Sequence, residues 1–246
     1  MDPRHEPYYR PDLALIHHLG FGFHADDCAP GVLKLLEPVR ERDGLVLELG
    51  CGSGLLTRYL LDAGHRVVAT DASPAMMDVA RGYVGDAQEI RRLALPDDPI
   101  PDADAIVSVG HVLNYLPDAD AIDAALIAIA TALRPDGVLA IDLCDLVYAE
   151  VRRDLAPVGW VSDEWALITR RSVPAPDRFV RDMAIFSRNE DGSWRRDDER
   201  HENVLVEIER VPELLEQHGV RATVAPSFGT EVLPEGLRVV IGRKGV

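Results

Sequence analysis

The stretch "LVLELGCGSGLL", Leu45 to Leu56, sets three glycines within five positions directly after an apolar run. A glycine-rich turn between a first strand and a first helix lets a ligand approach the backbone closely. It also aims the helix N-terminal N–H groups at that ligand. From Gly44 to Asp142, short β-rich apolar runs alternate with segments of helical period. That alternation predicts βαβ units and a parallel sheet. Strands are expected near Leu45 to Leu49, Arg66 to Thr70, Gln88 to Arg92, Ala105 to Val109 and Val138 to Asp142. The first helix is expected from Ser53 to Gly64, a capping glycine, and the second has Ser73 as N-cap before Pro74. The third runs from Asp118 to Leu133 and ends at "RPDG".

After Asp145 the texture changes. Trp165 to Val173, Phe179 to Arg188 and Trp194 to Val206 are extended runs separated by the turn signals "PAPD" and "NEDG". They read as three antiparallel strands inserted into the fold. The doubly wound pattern resumes with a helix at Val211 to His218 and strands at Ala222 to Pro226 and Leu237 to Ile241. The whole is an α/β domain enclosing a β insertion.

Composition narrows the partners. A chain of 246 residues, 47% of them hydrophobic, can bury one large core. The formal charge of -16 opposes any ligand bound by phosphate neutralisation, such as DNA or bulk RNA. "MDPRHEPYYRPDLA" is polar and Pro-rich, unlike a signal peptide, and no apolar run approaches membrane-spanning length. A soluble, cytoplasmic protein is expected. Cys28, Cys51 and Cys144 lack CxxC spacing, so neither a disulfide framework nor a metal site is expected.

The dinucleotide fingerprint G-x-G-x-x-G, started from Gly50 and Gly52, would need its third glycine at Leu55. The register is instead E-x-G-x-G-x-G, with Glu48, Gly50, Gly52 and Gly54. An acid beside the glycines repels a pyrophosphate and suits a ligand carrying an ammonium group, as S-adenosylmethionine does. Asp71, ending the second strand in "VVATDAS", can accept hydrogen bonds from both ribose hydroxyls and would repel a 2'-phosphate. These residues resemble the class I S-adenosylmethionine-dependent methyltransferases, whose first motif is ELGCGSG. The resemblance covers Leu45 to Ile141, and "LRPDG" at Leu133 to Gly137 is similar to that family's LKPGG turn. It implies a Rossmann-like methyltransferase sheet. It also implies a cofactor site in which Glu48, Gly50, Cys51, Gly52 and Gly54 surround the methionine end. Asp71 would then take the ribose, with Ala72 and Met76 beside the adenine. Asp86 precedes the third strand and Asp97 comes late after it, so a backbone amide at Leu93 or Ala94 is expected to read the adenine edge.

On the acceptor side, "SVGHVLNYLPD" lacks the (D/N/S)-P-P-(Y/F) of enzymes that methylate base amino groups. His111 stands where small-molecule methyltransferases present a polar residue, and a histidine can take a proton from a hydroxyl or amine. Asn114 and Tyr115 read as helix start and core. "DLALIHHLGFGF" resembles D-L-A-x-I-H-x-x-G-F of a group of bacterial small-molecule methyltransferases, in which such a segment lids the cofactor. That match selects His17 over His18, with Tyr8 and Tyr9 nearby. In "SWRRDDERHENVLVE" both strand faces are polar, which suits an outer strand in water. The same group has R-R-x-x-E-x-H here, matched by Arg195, Arg196, Glu199 and His201. Glu199 and His201 therefore join His111 and His17 as candidate catalytic residues.

The expected layout is an N-terminal helical lid at 1–43, a cofactor core at 44–145, a β insertion at 146–207 and a closing helix and strand pair at 208–246. The insertion either covers the site or pairs two copies as a homodimer. The expected activity is methyl transfer from S-adenosylmethionine to oxygen or nitrogen of a small molecule. The alternatives are a non-catalytic S-adenosylmethionine-binding module and a nicotinamide oxidoreductase.

Overall fold

The computed structural model describes residues 8–245; the first seven residues of the expected lid lie outside them. A seven-stranded sheet is built from β1 (Leu45–Leu49), β2 (Arg66–Asp71), β3 (Glu89–Arg92), β4 (Ala103–Ser108), β5 (Leu133–Cys144), β10 (Val220–Ala225) and β11 (Leu237–Lys244). Their order is β10-β11-β5-β4-β1-β2-β3, and β11 alone runs opposite to the other six strands. The order reverses between β1 and β4, which opens a crevice at their carboxyl ends.

Helices α3 (Leu55–Asp62), α4 (Pro74–Tyr83), α5 (Ala119–Ala132) and α7 (Val211–Gln217) follow the βαβ logic. Ser73 Oγ caps α4 by accepting from Met76 N–H at 3.2 Å, and Asp118 caps α5 through Ala121 N–H at 2.8 Å. Two apolar clusters bury the sheet. One holds Ile122, Leu126 and Ile129 of α5 against Leu47, Ile106 and Leu139; the other holds Cys28, Val32 and Leu36 against Val46, Val67 and Val107.

The structure corrects several expectations. The second cluster uses α2 (Phe23–Glu41), a helix that the interior Pro30 and Pro38 conceal from periodicity. Most of the segment expected to be lid is therefore sheet-covering helix; α1 (Pro11–Gly20) lies over the site. "LRPDG" is the irregular start of β5, which skips register against β4 and carries Asp136 at φ +60°. The insertion has four strands, β6 (Val158–Val161), β7 (Trp165–Ala175), β8 (Arg178–Arg188) and β9 (Trp194–Val204), preceded by α6 (Leu146–Glu150). Its inner face meets α1 through Leu13, Ile16, Leu167, Met183 and Ile185. No helix among the described residues is long and apolar enough to cross a membrane.

Candidate functional site

A cavity of about 510 Å³ occupies the crevice. Its floor is the loops after β1, β2, β3 and β4, and Tyr9, His17 and Phe21 reach it from the N-terminal side. The loop after β1 turns through Gly50, Gly52 and Gly54 at φ +67°, +55° and +88°. A Cβ on Gly50 would stand 2.4 Å from Val112 Cγ2, so glycine is required there for space as well as backbone angle. Gly52, by contrast, faces only the Met76 sulfur at 3.8 Å.

Two acids lie beneath the loop. Glu48 is sealed, accepts a 2.6 Å hydrogen bond from Thr57 Oγ1, and is lifted by burial to a pKa of about 7, with the Asp71 charge adding to the rise. Asp71 accepts from Gly52 N–H at 2.8 Å and Ser73 N–H at 2.7 Å; burial still raises it above the usual carboxylate range. Ala72, Met76 and Cys51 also line this end, and burial pushes the Cys51 thiol up. Leu93 lines it too, but its N–H donates to Asp71 O at 3.0 Å. The Ala94 N–H donates to Asp98 Oδ2 at 2.8 Å. Neither amide is the open donor that an adenine edge would need, which corrects that expectation.

At the opposite end, His111 holds a left-handed backbone at φ +50°. The carboxylate of Asp142, at the end of β5, secures it by accepting His111 N–H at 2.6 Å and Gly110 N–H at 2.9 Å. Strained non-glycine backbone persists only where its surroundings fix it. The same carboxylate meets His24 Nε2 at 3.0 Å. Burial opposes the His24 charge, yet the bond and charge of Asp142 prevail and hold its pKa above the ordinary histidine value. Burial prevails on the others: His111 falls to about 3, the Arg181 charge adding to the fall and Asp142 opposing it, and His17 falls to about 4, lowered further by the Arg181 charge.

The expected solvated strand is half wrong. Arg196, Asp198 and Arg200 on one face of β9 are exposed, but Glu199, His201 and Asn203 on the other are buried at 5%, 1% and 1% exposure. Glu199 accepts Tyr9 N–H at 2.9 Å and Arg10 N–H at 2.8 Å, and pairs with His201 Nε2 at 2.8 Å. Burial lifts Glu199 to about 7 and lowers His201, which the Arg181 charge lowers further. The rings of Tyr8, Tyr9 and Tyr115 close around His201 at centroid distances of 4.7, 4.8 and 5.6 Å.

Thus His17 and the floor residues share one cavity, and His111 and His201 stand behind its Tyr115 wall, stacked on that ring or edge-on to it. His18 turns away to Ser53 Oγ at 3.0 Å. Asn114 is a strut: its side chain bonds Cys144 N, Cys144 O and Val204 O at 2.8, 3.1 and 2.6 Å. Sequence reasoning missed His24, Asp142 and Arg181. Asp142 carried a signal, an acid ending an apolar strand at the ligand-binding edge of the sheet. Arg181 carried another, a charge alternating with Phe179, Met183 and Ile185 on one strand face.

The methyltransferase-domain family matches residues 47–139. A Bacillus subtilis (strain 168) protein named as a methyltransferase, YqeM, is 28% identical over 193 residues, spanning 76% of this chain and 77% of its own. Among solved structures, the sugar N-methyltransferase KedS8 from Streptoalloteichus sp ATCC 53650 superposes with TM-score 0.79 at 17% identity, over 98% of this chain and 96% of that one. CalS10, an amino pentose methyltransferase from Micromonospora echinaspora solved with S-adenosylmethionine bound, gives 0.72 at 17%, over 97% and 98%. At such identity the structural likeness speaks for the fold, while the domain match covers the glycine loop and Asp71. Residues 47–139 thus carry a methyltransferase domain, and the loop register, the placed acid and the sheet order agree with a class I S-adenosylmethionine-dependent methyltransferase.

Proposed function

We propose that the protein methylates oxygen or nitrogen of a small-molecule acceptor. The observation that carries this reading is the shape of the cavity. It starts at the glycine loop and Asp71, reaches Tyr9 and Tyr115, and at about 510 Å³ falls in the range of small-ligand sites. The α1 helix, with the inner face of the β insertion packed against it, stands over the cavity. KedS8 and CalS10, which share the architecture, are named for sugar and amino pentose methylation.

S-adenosylmethionine supplies an activated methyl group on a sulfonium, so the protein's part is to bind, align, exclude water and manage a proton. Glu48 and the loop from Gly50 to Gly54 fit its methionine end, and Asp71 fits its ribose. As the new bond forms at the acceptor, the bond to sulfur breaks and the acceptor must release its proton. His17, on the cavity wall, is held neutral by burial and suits orientation of the acceptor, while His111 and the Glu199–His201 pair stand behind Tyr115 and support that wall. His24, on the cavity wall with Asp142 behind it, has the basicity for proton acceptance near neutral pH.

Incubation with methyl-labelled S-adenosylmethionine and host lysate, separated into small-molecule, protein and RNA fractions, tests this. Label in the small-molecule fraction is expected. Label confined to protein or RNA would remove the proposed acceptor class and leave the cofactor site standing.

A further inference from the structure

In the roof of the site, β7, β8 and β9 set Arg171, Arg181 and His201 directly opposite one another. Side chains alternate along a strand, so all three share the face that carries Leu167, Met183 and Ile185 onto α1. Further along, Phe179 carries the same face into a second apolar cluster. A polar row therefore crosses the roof between two greasy patches. Arg171 and Arg181 are like charges placed opposite each other, an arrangement that destabilises a sheet. Neither has an ion-pair partner among the described residues, although the chain carries 42 acidic residues against 26 basic ones.

Arg181 donates to the Tyr115 hydroxyl, and its Nε is buried without a partner. Burial keeps the Tyr115 phenol protonated, so it supplies no countercharge. The Tyr115 hydroxyl meets that of Tyr9 at 3.1 Å, and both rings line the cavity, which connects the arginine to the site. On the same face of β9, His201 Nδ1 and Asn203 Nδ2 are also buried and unpartnered. A half-buried cation without a counterion, its Nε sealed and flanked by unmet donors, is costly unless something absent from the chain completes it. With a formal charge of -16, the molecule as a whole repels anions, so only a local cluster such as this can hold one.

We propose that the acceptor carries an acid group, a carboxylate or a phosphate, that the guanidinium of Arg181 grips with Arg171 reinforcing it. This rests on the small-molecule reading above. A planar guanidinium matches either group in two-pronged fashion. Anchored there, an acceptor would extend from the roof toward the loop after β4, with His24 of α2 on the cavity wall beside its path to the methyl group.

The test titrates inorganic phosphate and acetate into the full-length protein saturated with S-adenosylhomocysteine, followed by calorimetry. At least one anion is expected to bind, at least tenfold more weakly to R181Q and more weakly to R171Q. Binding to R200Q, altered on the outer face where Arg200 pairs with Asp182, should not change. Phosphate alone binding would identify a phosphorylated acceptor and acetate alone a carboxylic acid. Failure of both anions to bind wild type, or undiminished binding to an R181Q protein of normal cofactor affinity, would overturn the proposal. If R181Q does not fold, R181K decides: it keeps the charge and loses the fork, so severalfold weaker binding is expected and equal binding refutes. The fraction receiving label judges the small-molecule reading separately, since anion binding is measured without any acceptor.

Discussion

Glu48 and His24 titrate in opposite service. Glu48 must be ionised to meet an ammonium group, yet burial lifts it to about 7. Below that value, cofactor affinity is expected to fall roughly tenfold per pH unit, and E48Q should flatten the profile at a low affinity. The sign for folding is the reverse: a carboxyl raised in the folded state favours folding at low pH, so cofactor-free wild type loses stability between about pH 4.5 and 7 relative to E48Q. Melting temperature against pH for the two proteins checks it. His24 is likewise raised, so its bond to Asp142 contributes fully below the ordinary histidine value and is lost as pH climbs through the folded one. As a proton acceptor it works only when neutral, so kcat should rise over the pH range in which that stabilisation fades. H24Q is expected to lower kcat by roughly 10²- to 10⁴-fold and remove the rise. Asp71→Asn should weaken S-adenosylmethionine binding by about 10- to 100-fold through loss of charge-assisted bonds, with little change in melting. An unchanged Kd would withdraw the ribose assignment. These acids were legible in the sequence because strand and loop spacing fix them. His24 was not, since its meaning depends on Asp142, 118 positions away.

The elements of the roof are joined by few bonds. Glu199 holds the chain entering α1 by two backbone amides, and Gly20 at the end of α1 lies so near Trp165 that a Cβ would stand 2.7 Å from the ring. E199A should therefore release α1 from β9. Expected results are faster amide exchange and proteolysis near residues 9–20 and a large loss of kcat, with β1, β4 and β5 protected as before. Periodicity reveals strands β7 to β9 but not which face is dry, because Glu199, His201 and Asn203 are as polar as a solvated edge. Only the α1 contact settles it. The four-residue β6 is too short to carry a pattern, and α2 hides behind its prolines.

Across the whole molecule, the sheet order follows from alternation of strand and helix periods, and the first four strands carried that signal plainly. The relation of the insertion to the sheet did not, being a matter of contacts between distant segments. The Asn114 amide makes that relation: one side chain bonds the end of β5 and the end of β9 from the turn after β4. All its partners are main-chain groups, so what it reads is position and not residue type. An insertion from a relative could thus be transplanted without matching its sequence, provided its last strand presents a carbonyl where Val204 does. Transplants that miss that point by a residue would fold as two halves with a misaligned chamber, binding the methyl donor and transferring nothing.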